Sequence, residues 1–248
     1  MRTAIIIPAR LGATRLPRKP LLALGNLPVV VRVMHQAQKV AGVDEVVVAT
    51  DSEEIVGVVG EHAGVAMLTS ASHQSGTDRC AEVARARGYD LVVNLQGDEP
   101  FIDPRDLAGI VETLKTRDCD IATLKRPIQN VDDFLNPNVV KVVVRDDNQA
   151  LYFSRAPIPY DRSGNNAFAN AYRHIGVYGY KRPALERLSE EEVHVMERRE
   201  GLEQLRALAI GMTIQTVSAM SQGRGIDTEE DLQWARGEVA RLGEECFP

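Results

Sequence analysis

Short apolar runs rich in β-branched residues recur along the first half of the chain, separated by segments with helical spacing. Four of these runs, AIIIPA, EVVVAT, DLVVNLQ and DIATL, span residues 4–9, 45–50, 90–96 and 120–124. Their length and composition are typical of parallel strands buried on both faces. Between the first two, Val29, Val33 and Ala37 repeat at helical spacing just after Pro28, which suits a first helical turn. This alternation predicts an α/β fold with a mostly parallel, Rossmann-like sheet and helices on both faces.

Capping residues mark further helix boundaries. Gly88 suits the end of a helix that precedes the 90–96 strand, and Asp103 followed by Pro104 suits the start of the next helix. The later predicted elements are strands at 174–180 and 213–218 and helices at about 183–188, 197–209 and 228–242.

The second half departs from simple alternation. VVKVVVRDDNQALYFS, residues 139–154, predicts two strands joined by a hairpin turn at 146–148. A loop rich in Pro, Gly and Asn follows over 157–170 and is a candidate flap. We therefore expect one domain over 1–248, with an inserted hairpin subdomain or flap at about 138–180.

The overall charge excludes some classes of protein. The 248 residues carry a formal net charge of −6 and show no basic tail, which argues against binding to nucleic acid or to an anionic membrane. No apolar run approaches the roughly 20 residues that span a bilayer, and the first residues lack a signal-peptide cleavage pattern. Cys80, Cys119 and Cys246 are far apart and form no metal or disulfide pattern. We expect a cytoplasmic protein with reduced cysteines.

A basic loop follows the first strand of this acidic chain. RLPRKP brings Arg15, Arg18 and Lys19 together around two prolines, shortly after Arg10. Ligands of open α/β sheets bind beyond the carboxyl ends of the strands, where this loop lies. A polyphosphate would relieve the repulsion among the cations, although a solvated charged loop is the alternative. Neither a P-loop nor a G-x-G-x-x-G motif is present, which disfavours those nucleotide-binding classes.

Two acidic residues are candidate metal ligands. Asp98 follows a buried strand and Gly97, so it projects from the strand end, where Mg²⁺ could bind it together with substrate phosphates. The alternative is an ordinary turn. Asp227 could be a second ligand. The alternative is a helix cap at this point, formed either by Asp227 with Glu230 or by Thr228 with Asp231.

Nine ordered motifs carry a family resemblance across residues 4 to about 235. They are IIIPARLGATRLPRKPL, VATDSEEI, HQSGTDR, VVNLQGDEPFI, NPNVVKVVV, ALYFSRAPIPY, RHIGVYGY, GLEQLRAL and GIDTEEDL. The chain resembles the 3-deoxy-manno-octulosonate cytidylyltransferase (CMP-Kdo synthetase) family. The resemblance implies a nucleotidyltransferase that moves CMP from CTP to the anomeric hydroxyl of a Kdo-like acid sugar, releases pyrophosphate and serves lipopolysaccharide biosynthesis.

The resemblance also implies a division of the site into two halves. The positions that match the nucleotide half are Ala9, Arg10, Arg15, Lys19, Ser75, Gly76, Arg79 and Asp98. The positions that match the acid-sugar half are Gln96, Arg155, His174, Tyr178, Glu200 and Gln204. By the same resemblance, Asp98 and Asp227 hold Mg²⁺, and these two with Arg10 and Lys19 form the catalytic set. Family members are commonly dimers, so a homodimer is expected.

Two departures from the family pattern leave alternatives open. Arg18 replaces the glycine of the usual RLPGKP, which would strain the backbone if that position needs a positive φ. The segment EEVHVMERREG, residues 191–201, lacks the usual proline beside the acid pocket. The acceptor could therefore be amino-Kdo, another acid sugar or a small phosphonate such as phosphonoformate. A non-catalytic nucleotide sensor is a further alternative, which pyrophosphate release would exclude.

Overall fold

The computed structural model describes residues 1–12, 15–164 and 168–243; Cys246 and part of the 157–170 loop lie outside these ranges. The strands are β1 (Thr3–Ala9), β2 (Ala23–Leu24), β3 (Leu27–Pro28), β4 (Glu45–Thr50), β5 (Val65–Leu68), β6 (Leu91–Asn94), β7 (Ile121–Pro127), β8 (Lys141–Val144), β9 (Ala150–Ser154), β10 (Tyr172–Lys181) and β11 (Ile214–Ser218). The helices are α1 (Val29–Gln38), α2 (Glu53–Glu61), α3 (Gly76–Arg87), α4 (Pro104–Thr116), α5 (Val131–Leu135), α6 (Arg182–Glu190), α7 (Val195–Glu200), α8 (Gln204–Ala209) and α9 (Glu229–Leu242). Within the described ranges, no helix is both long and apolar enough to span a bilayer.

The main sheet has the strand order β11-β7-β10-β6-β1-β4-β5. Neighbouring strands pair in parallel except at β10, which is antiparallel to both β6 and β7. The predicted hairpin is present, because β8 and β9 pair antiparallel and β8 joins the sheet through the start of β10. The expected α/β class with a mostly parallel sheet is therefore confirmed.

The first strand explains why helices cover both faces. Ile5 and Ile7 pack into one buried cluster, and Ala4 and Ile6 pack into another on the opposite face. Successive side chains of a strand point to opposite faces, so a continuous apolar run needs a core on each side. Residues from α1, α2 and α4 complete the first cluster, and residues from α3, α6 and α8 complete the second.

Several predicted boundaries are confirmed. Gly88 ends α3 in a left-handed conformation with φ 69°, and Asp103 caps α4 by accepting a hydrogen bond from the backbone N–H of Arg105. Pro28 differs from the prediction, because its extended ψ of 150° places it at the cap before α1 and not in the first turn.

The single helix predicted over 197–209 is wrong. The chain forms α7 and α8 instead, separated at Gly201, whose φ of 63° is left-handed. The Gly201 N–H donates to the Glu197 carbonyl at 2.7 Å and closes α7. Glycine reaches this conformation without a steric penalty, so it ends a helix that the apolar spacing alone would continue.

The arginine at the usual glycine position has a left-handed backbone. Arg18 has φ 58° and ψ 21°, the conformation that makes glycine favourable there. Its side chain forms an ion pair with Glu54, at the start of α2, and does not join the pairs that Arg15 and Lys19 make with acidic residues. Arg18 thus adds a cation to the loop but directs it toward α2.

We predict that Arg18→Gly is more stable than Arg18→Ala by about 1 kcal/mol, since both lose the pair with Glu54 and only glycine relieves the left-handed backbone. Urea unfolding of the two variants measures the difference. The same two substitutions at Arg85, inside the right-handed α3, are the matched control and should give the opposite order. An alanine variant at position 18 as stable as the glycine variant would contradict the prediction.

Candidate functional site

Two adjoining cavities lie at the C-terminal edge of the parallel strands. The first, the basic cavity, has a volume of about 260 Å³ and is lined by Pro8, Ala9, Arg10, Arg15, Leu16, Lys19, Pro20, Gln96, Gly97, Asp98 and Asp227. The second, the α3 cavity, has a volume of about 170 Å³ and is lined by Pro8, Ala9, Arg10, His73, Gln74, Ser75, Gly76, Arg79 and Gln96. The end of β1 and Gln96 line both, so the two cavities form one cleft. Every residue assigned by resemblance to the nucleotide half lies along this cleft.

Gly97 allows the ends of two strand segments to approach closely. A Cβ atom at Gly97 would lie 2.9 Å from the backbone oxygen of Pro8, closer than packed atoms tolerate. Only glycine therefore fits between the end of β1 and the turn after β6. This contact places Asp98 beside the basic loop.

Lys19 joins the two candidate metal ligands. Its Nζ lies 2.6 Å from Asp98 Oδ2 and 3.0 Å from Asp227 Oδ1, and Arg15 Nη2 lies 3.2 Å from Asp227 Oδ2. Burial would lower the pKa of Lys19, but the two carboxylates outweigh it and raise that pKa above its usual value. Three distant parts of the chain thus meet at one ammonium group.

The structure separates Asp227 from the helix cap. Thr228 caps α9 by accepting the N–H of Asp231, and the Asp231 side chain accepts the N–H of Thr228 in return. The capping box therefore uses Thr228 and Asp231 and leaves both carboxylate oxygens of Asp227 directed at Lys19 and Arg15.

The carboxylate pair suits a magnesium ion that also binds phosphate. Asp98 and Asp227 already converge on one cation, the ammonium of Lys19. Within the described ranges, no group of three or more His, Cys, Asp or Glu side chains could hold a metal by itself. Mg²⁺ commonly takes one or two carboxylates and completes its coordination with water and substrate phosphates, so two acidic ligands fit this ion.

The start of α3 forms one wall of the α3 cavity. Ser75 caps the helix in a reciprocal capping box with Asp78, and a Cβ atom at Gly76 would lie 3.1 Å from the Pro8 ring. Arg79 is 4% exposed and donates to Asp51, so its guanidinium is already paired in this structure.

Two further cavities continue from Gln96 toward β10 and α8. The inner cavity, about 160 Å³, is lined by Gly76, Thr77, Asn94, Gln96, Ile121, Tyr178, Tyr180, Leu188, Glu203 and Gln204. The outer cavity, about 350 Å³, is lined by Asn138, Val139, Val140, Arg173, His174, Ile175, Gly176, Tyr178, Gly201, Leu202, Glu203, Gln204 and Gly223. Glu203 Oε1 and Gln204 Nε2 are buried and have no hydrogen-bond partner in the described part of the chain, although Arg206 Nη2 lies 3.8 Å from Glu203 Oε1. Buried polar atoms without partners are costly, so they suit a polar ligand.

His174 is a neutral hydrogen-bond donor at the outer cavity. Its Nε2 lies 2.9 Å from Thr123 Oγ1, and that hydroxyl donates to the Val177 carbonyl at 2.8 Å. The hydroxyl proton is thus committed, so Nε2–H donates to the oxygen. Burial lowers the pKa of His174 to about 3, which keeps the ring neutral near pH 7.

Arg155 and Glu200 line neither the inner nor the outer cavity. Arg155 donates to the backbone carbonyls of Glu200 and Pro137, at 2.6 and 3.0 Å. The Glu200 carboxylate accepts from Ser154 Oγ and from the Arg155 N–H, at 2.7 and 2.9 Å. In this structure both side chains connect the β9 end to the α7–α8 junction.

Glu203 and Arg173 are cavity residues that the sequence reasoning missed. Glu203 lines both the inner and outer cavities, three residues after Glu200, while Arg173 lines the outer one. The helix break at Gly201 determines that Glu203, and not Glu200, faces the inner and outer cavities. A continuous helix was predicted over 197–209, so Glu203 was not recognised as a cavity residue. Burial raises the pKa of Glu203, an effect only partly offset by a hydrogen bond from Thr77. The helix-breaking glycine was the available signal.

A cationic loop, a carboxylate pair and a polar second cavity at the C-terminal edge of this sheet define a nucleotidyltransferase. Residues 4–214 match the family model described as cytidylyltransferase, and the chain belongs to that family. The resemblance to CMP-Kdo synthetases is therefore confirmed at the level of the family and its relatives.

Curated relatives match over nearly the whole chain. Proteins named 3-deoxy-manno-octulosonate cytidylyltransferase are 45% identical in Gemmatimonas aurantiaca, covering 94% of this chain and 92% of the relative, and 47% identical in Methylococcus capsulatus, covering 94% and 95%. A solved CMP:2-keto-3-deoxy-manno-octonic acid synthetase complexed with CTP is 40% identical, with a TM-score of 0.92 over 97% of this chain and 99% of that one.

We predict that Lys19→Met lowers the free energy of unfolding by about 1–2 kcal/mol without metal, because Asp98 and Asp227 lose their shared cation. Mg²⁺ without nucleotide should restore more stability to this variant than it adds to the wild type. Urea unfolding with and without Mg²⁺ measures both effects, and Lys115→Met, at an exposed position of α4, is the control. Equal Mg²⁺ effects on wild type and variant would contradict the assignment.

His174 gives a pH-dependent prediction. Its folded pKa of about 3 lies below the ordinary 6.5, so below that value the unfolded chain binds a proton that the folded chain does not. Stability is therefore lost as the pH falls. His174→Gln should lose about 1 kcal/mol less than wild type between about pH 7.5 and about pH 5.5. Urea unfolding at both pH values tests this, and identical losses would contradict it.

Proposed function

We propose that this protein transfers CMP from CTP to the anomeric hydroxyl of a Kdo-like acid sugar and releases pyrophosphate. The observation that carries the proposal is the continuity of the cavities. Gln96 lines the basic, α3 and inner cavities, and thus connects the cationic loop to the polar pocket at β10 and α8. A nucleotide and an acid acceptor can occupy adjoining spaces, as a direct transfer between them requires.

The relatives support both substrates. Two curated relatives carry names that state cytidylyl transfer with 3-deoxy-manno-octulosonate, and the solved neighbour holds CTP. CTP is an intracellular metabolite, so we place the reaction in the cytoplasm. The proposed product is an activated sugar for surface polysaccharide.

The chemistry asks the protein mainly for positioning and charge balance. The anomeric hydroxyl gives up its proton to solvent as its oxygen forms a bond to the α-phosphorus. The bond from the α-phosphorus to the bridging oxygen breaks, and pyrophosphate leaves with that electron pair. Arg10, Arg15 and Lys19 line the basic cavity and neutralise the triphosphate. Asp98 and Asp227 would hold Mg²⁺, which when bound would supply further charge neutralisation and lower the pKa of the attacking hydroxyl.

The acid half favours a polyhydroxylated acceptor. Gln204, Glu203, Tyr178 and His174 present amide, carboxylate, phenol and imidazole groups to the inner and outer cavities. These groups suit several hydroxyls better than a small phosphonate, which a cluster of cations would serve. Arg173 at the outer cavity is a candidate partner for the acceptor carboxylate, as is Arg155 if its present bonds rearrange.

We further propose a homodimer, with the hairpin as an inserted subdomain. Leu151 and Tyr152 on β9 are 56% and 36% exposed, and β9 pairs only with β8 among the described strands of the main sheet. A free edge with apolar side chains suits a second copy of the chain. Sedimentation at micromolar concentration that gives only a monomer would remove this part of the proposal.

Pyrophosphate release with CTP and Mg²⁺ tests the function directly. Kdo, amino-Kdo, a sialic acid and phosphonoformate are compared in parallel, and Kdo should give the highest kcat/KM. Phosphonoformate giving the highest value would retain cytidylyl transfer and overturn the acceptor. No release above the no-acid control with any acceptor would favour the nucleotide sensor.

We predict that Asp98→Asn reduces turnover at least about a thousandfold while the variant still folds, because the amide keeps the size but removes the charge that holds the metal. Asp118→Asn, at an exposed turn, is the control and should retain wild-type turnover. Near-wild-type turnover by the Asp98 variant would contradict the metal assignment.

A further inference from the structure

One wall of the α3 cavity is built from a segment without helix or strand structure. Residues 69–74 connect β5 to the Ser75 cap of α3, and His73 and Gln74 of this segment line the cavity. The Thr69 N–H donates to the Thr50 carbonyl of β4 at 2.8 Å, but beyond Thr69 the wall has no strand pairing to hold its shape, so side-chain contacts must fix it.

Glu82, on the second turn of α3, holds this segment at two points. Its Oε2 accepts the backbone N–H of Ser70 at 3.0 Å and lies 2.5 Å from His73 Nε2. Burial would raise the pKa of Glu82, but the bonds from Ser70 and His73 outweigh it and hold that pKa below its usual value. The carboxylate thus fixes the start of the segment and one of its cavity-lining side chains.

Asp51, directly after β4, holds the same segment through Arg79. Its Oδ2 accepts from Arg79 Nη2 at 2.9 Å, while Nη1 of the same guanidinium lies 2.5 Å from Thr69 Oγ1 and 3.4 Å from the Ser70 carbonyl. Arg79 is 4% exposed, so its position is determined by these partners. A buried guanidinium without its carboxylate would have to move toward water.

Thr69, the first residue of the segment, is joined to β4, because its N–H and its hydroxyl both donate to the Thr50 carbonyl, at 2.8 and 3.1 Å. The other remaining bonds are internal to the segment. Ser70 Oγ lies 2.7 Å from Ser72 Oγ, and Gln74 Nε2 donates to the Ser72 carbonyl at 2.8 Å. These bonds shape the segment but do not attach it to the sheet. Glu82 and Asp51 therefore supply side-chain attachments to two neighbouring elements, although neither residue lines the cavity.

We infer that Glu82 and Asp51 are positioning residues for nucleobase recognition, which rests on the proposed function. They hold the 69–74 segment in advance, so that His73, Gln74 and the α3 cap meet a pyrimidine ring without further ordering. Ordering a loop on binding opposes affinity, and a preformed wall removes that cost. The effect should be confined to the base, because Glu82 and Asp51 support the α3 cavity, whereas the proposed triphosphate site is the basic cavity.

Glu82→Ala is the main test. We expect KM for CTP and the calorimetric Kd of CTP to rise about tenfold, kcat to change less than about twofold, and the preference for CTP over UTP to fall. KM for the acid sugar and the inhibition constant of pyrophosphate should stay at wild-type values, which a general loss of structure would not allow. Glu190→Ala is the matched control, since Glu190 pairs with Arg85 of α3 at 3.1 Å, among exposed side chains.

Asp51 supplies an independent variant pair. Asp51→Asn keeps an oxygen that can accept from Arg79 and should bind CTP more tightly than Asp51→Ala does. Unchanged CTP binding and base preference in Glu82→Ala, or an equal loss of pyrophosphate binding, would overturn the inference. A wild type that binds CTP without releasing pyrophosphate would overturn the proposed function instead, and the binding data would still decide the role of Glu82.

Discussion

The ion pairs of Lys19 with Asp98 and Asp227 are the contacts on which the arrangement of the cleft depends. They connect the loop after β1, the turn after β6 and the segment before α9, which lie far apart in the sequence. One ammonium group balances two carboxylates that would otherwise repel each other. The close approach at Gly97 makes this meeting possible, because no side chain separates the Pro8 backbone from the turn that carries Asp98.

Much of the fold could be predicted from the sequence because the core strands are apolar on both faces. The run at 4–9 needs a core on each side, and the structure divides its side chains between two clusters. The single helix over 197–209 was wrong because apolar spacing continues through Gly201, whose left-handed backbone ends α7. The antiparallel direction of β10 could not be predicted either, since a buried strand has the same composition in either direction.

The residues along the basic and α3 cavities were more predictable than those along the inner and outer cavities. Arg10 and Asp98 lie shortly after strand ends and Lys19 lies on the loop after β1, and the sheet brings the ends of parallel strands to one edge. The acid half depends on which side chains face inward from β10 and from the α7–α8 junction. Glu203 lines both acid-side cavities while Glu200 bonds to β9, and only the position of the helix break distinguishes them.

The cavities on the two sides of Gln96 therefore differ in how easily their residues could change to accept a new substrate. The basic loop and the carboxylates are fixed by strand ends and by mutual charge balance, so altering them disturbs the sheet edge itself. The acid-side cavities are walled by short helices and by a strand that carries a register shift between Ile175 and Tyr178. Moving the break at Gly201 by one residue would rotate Glu203 and Gln204 by about 100° around α8. The unusual 191–201 segment thus directly precedes Glu203 and Gln204. A change at these residues could alter the choice of acceptor without altering the residues proposed for cytidylyl transfer.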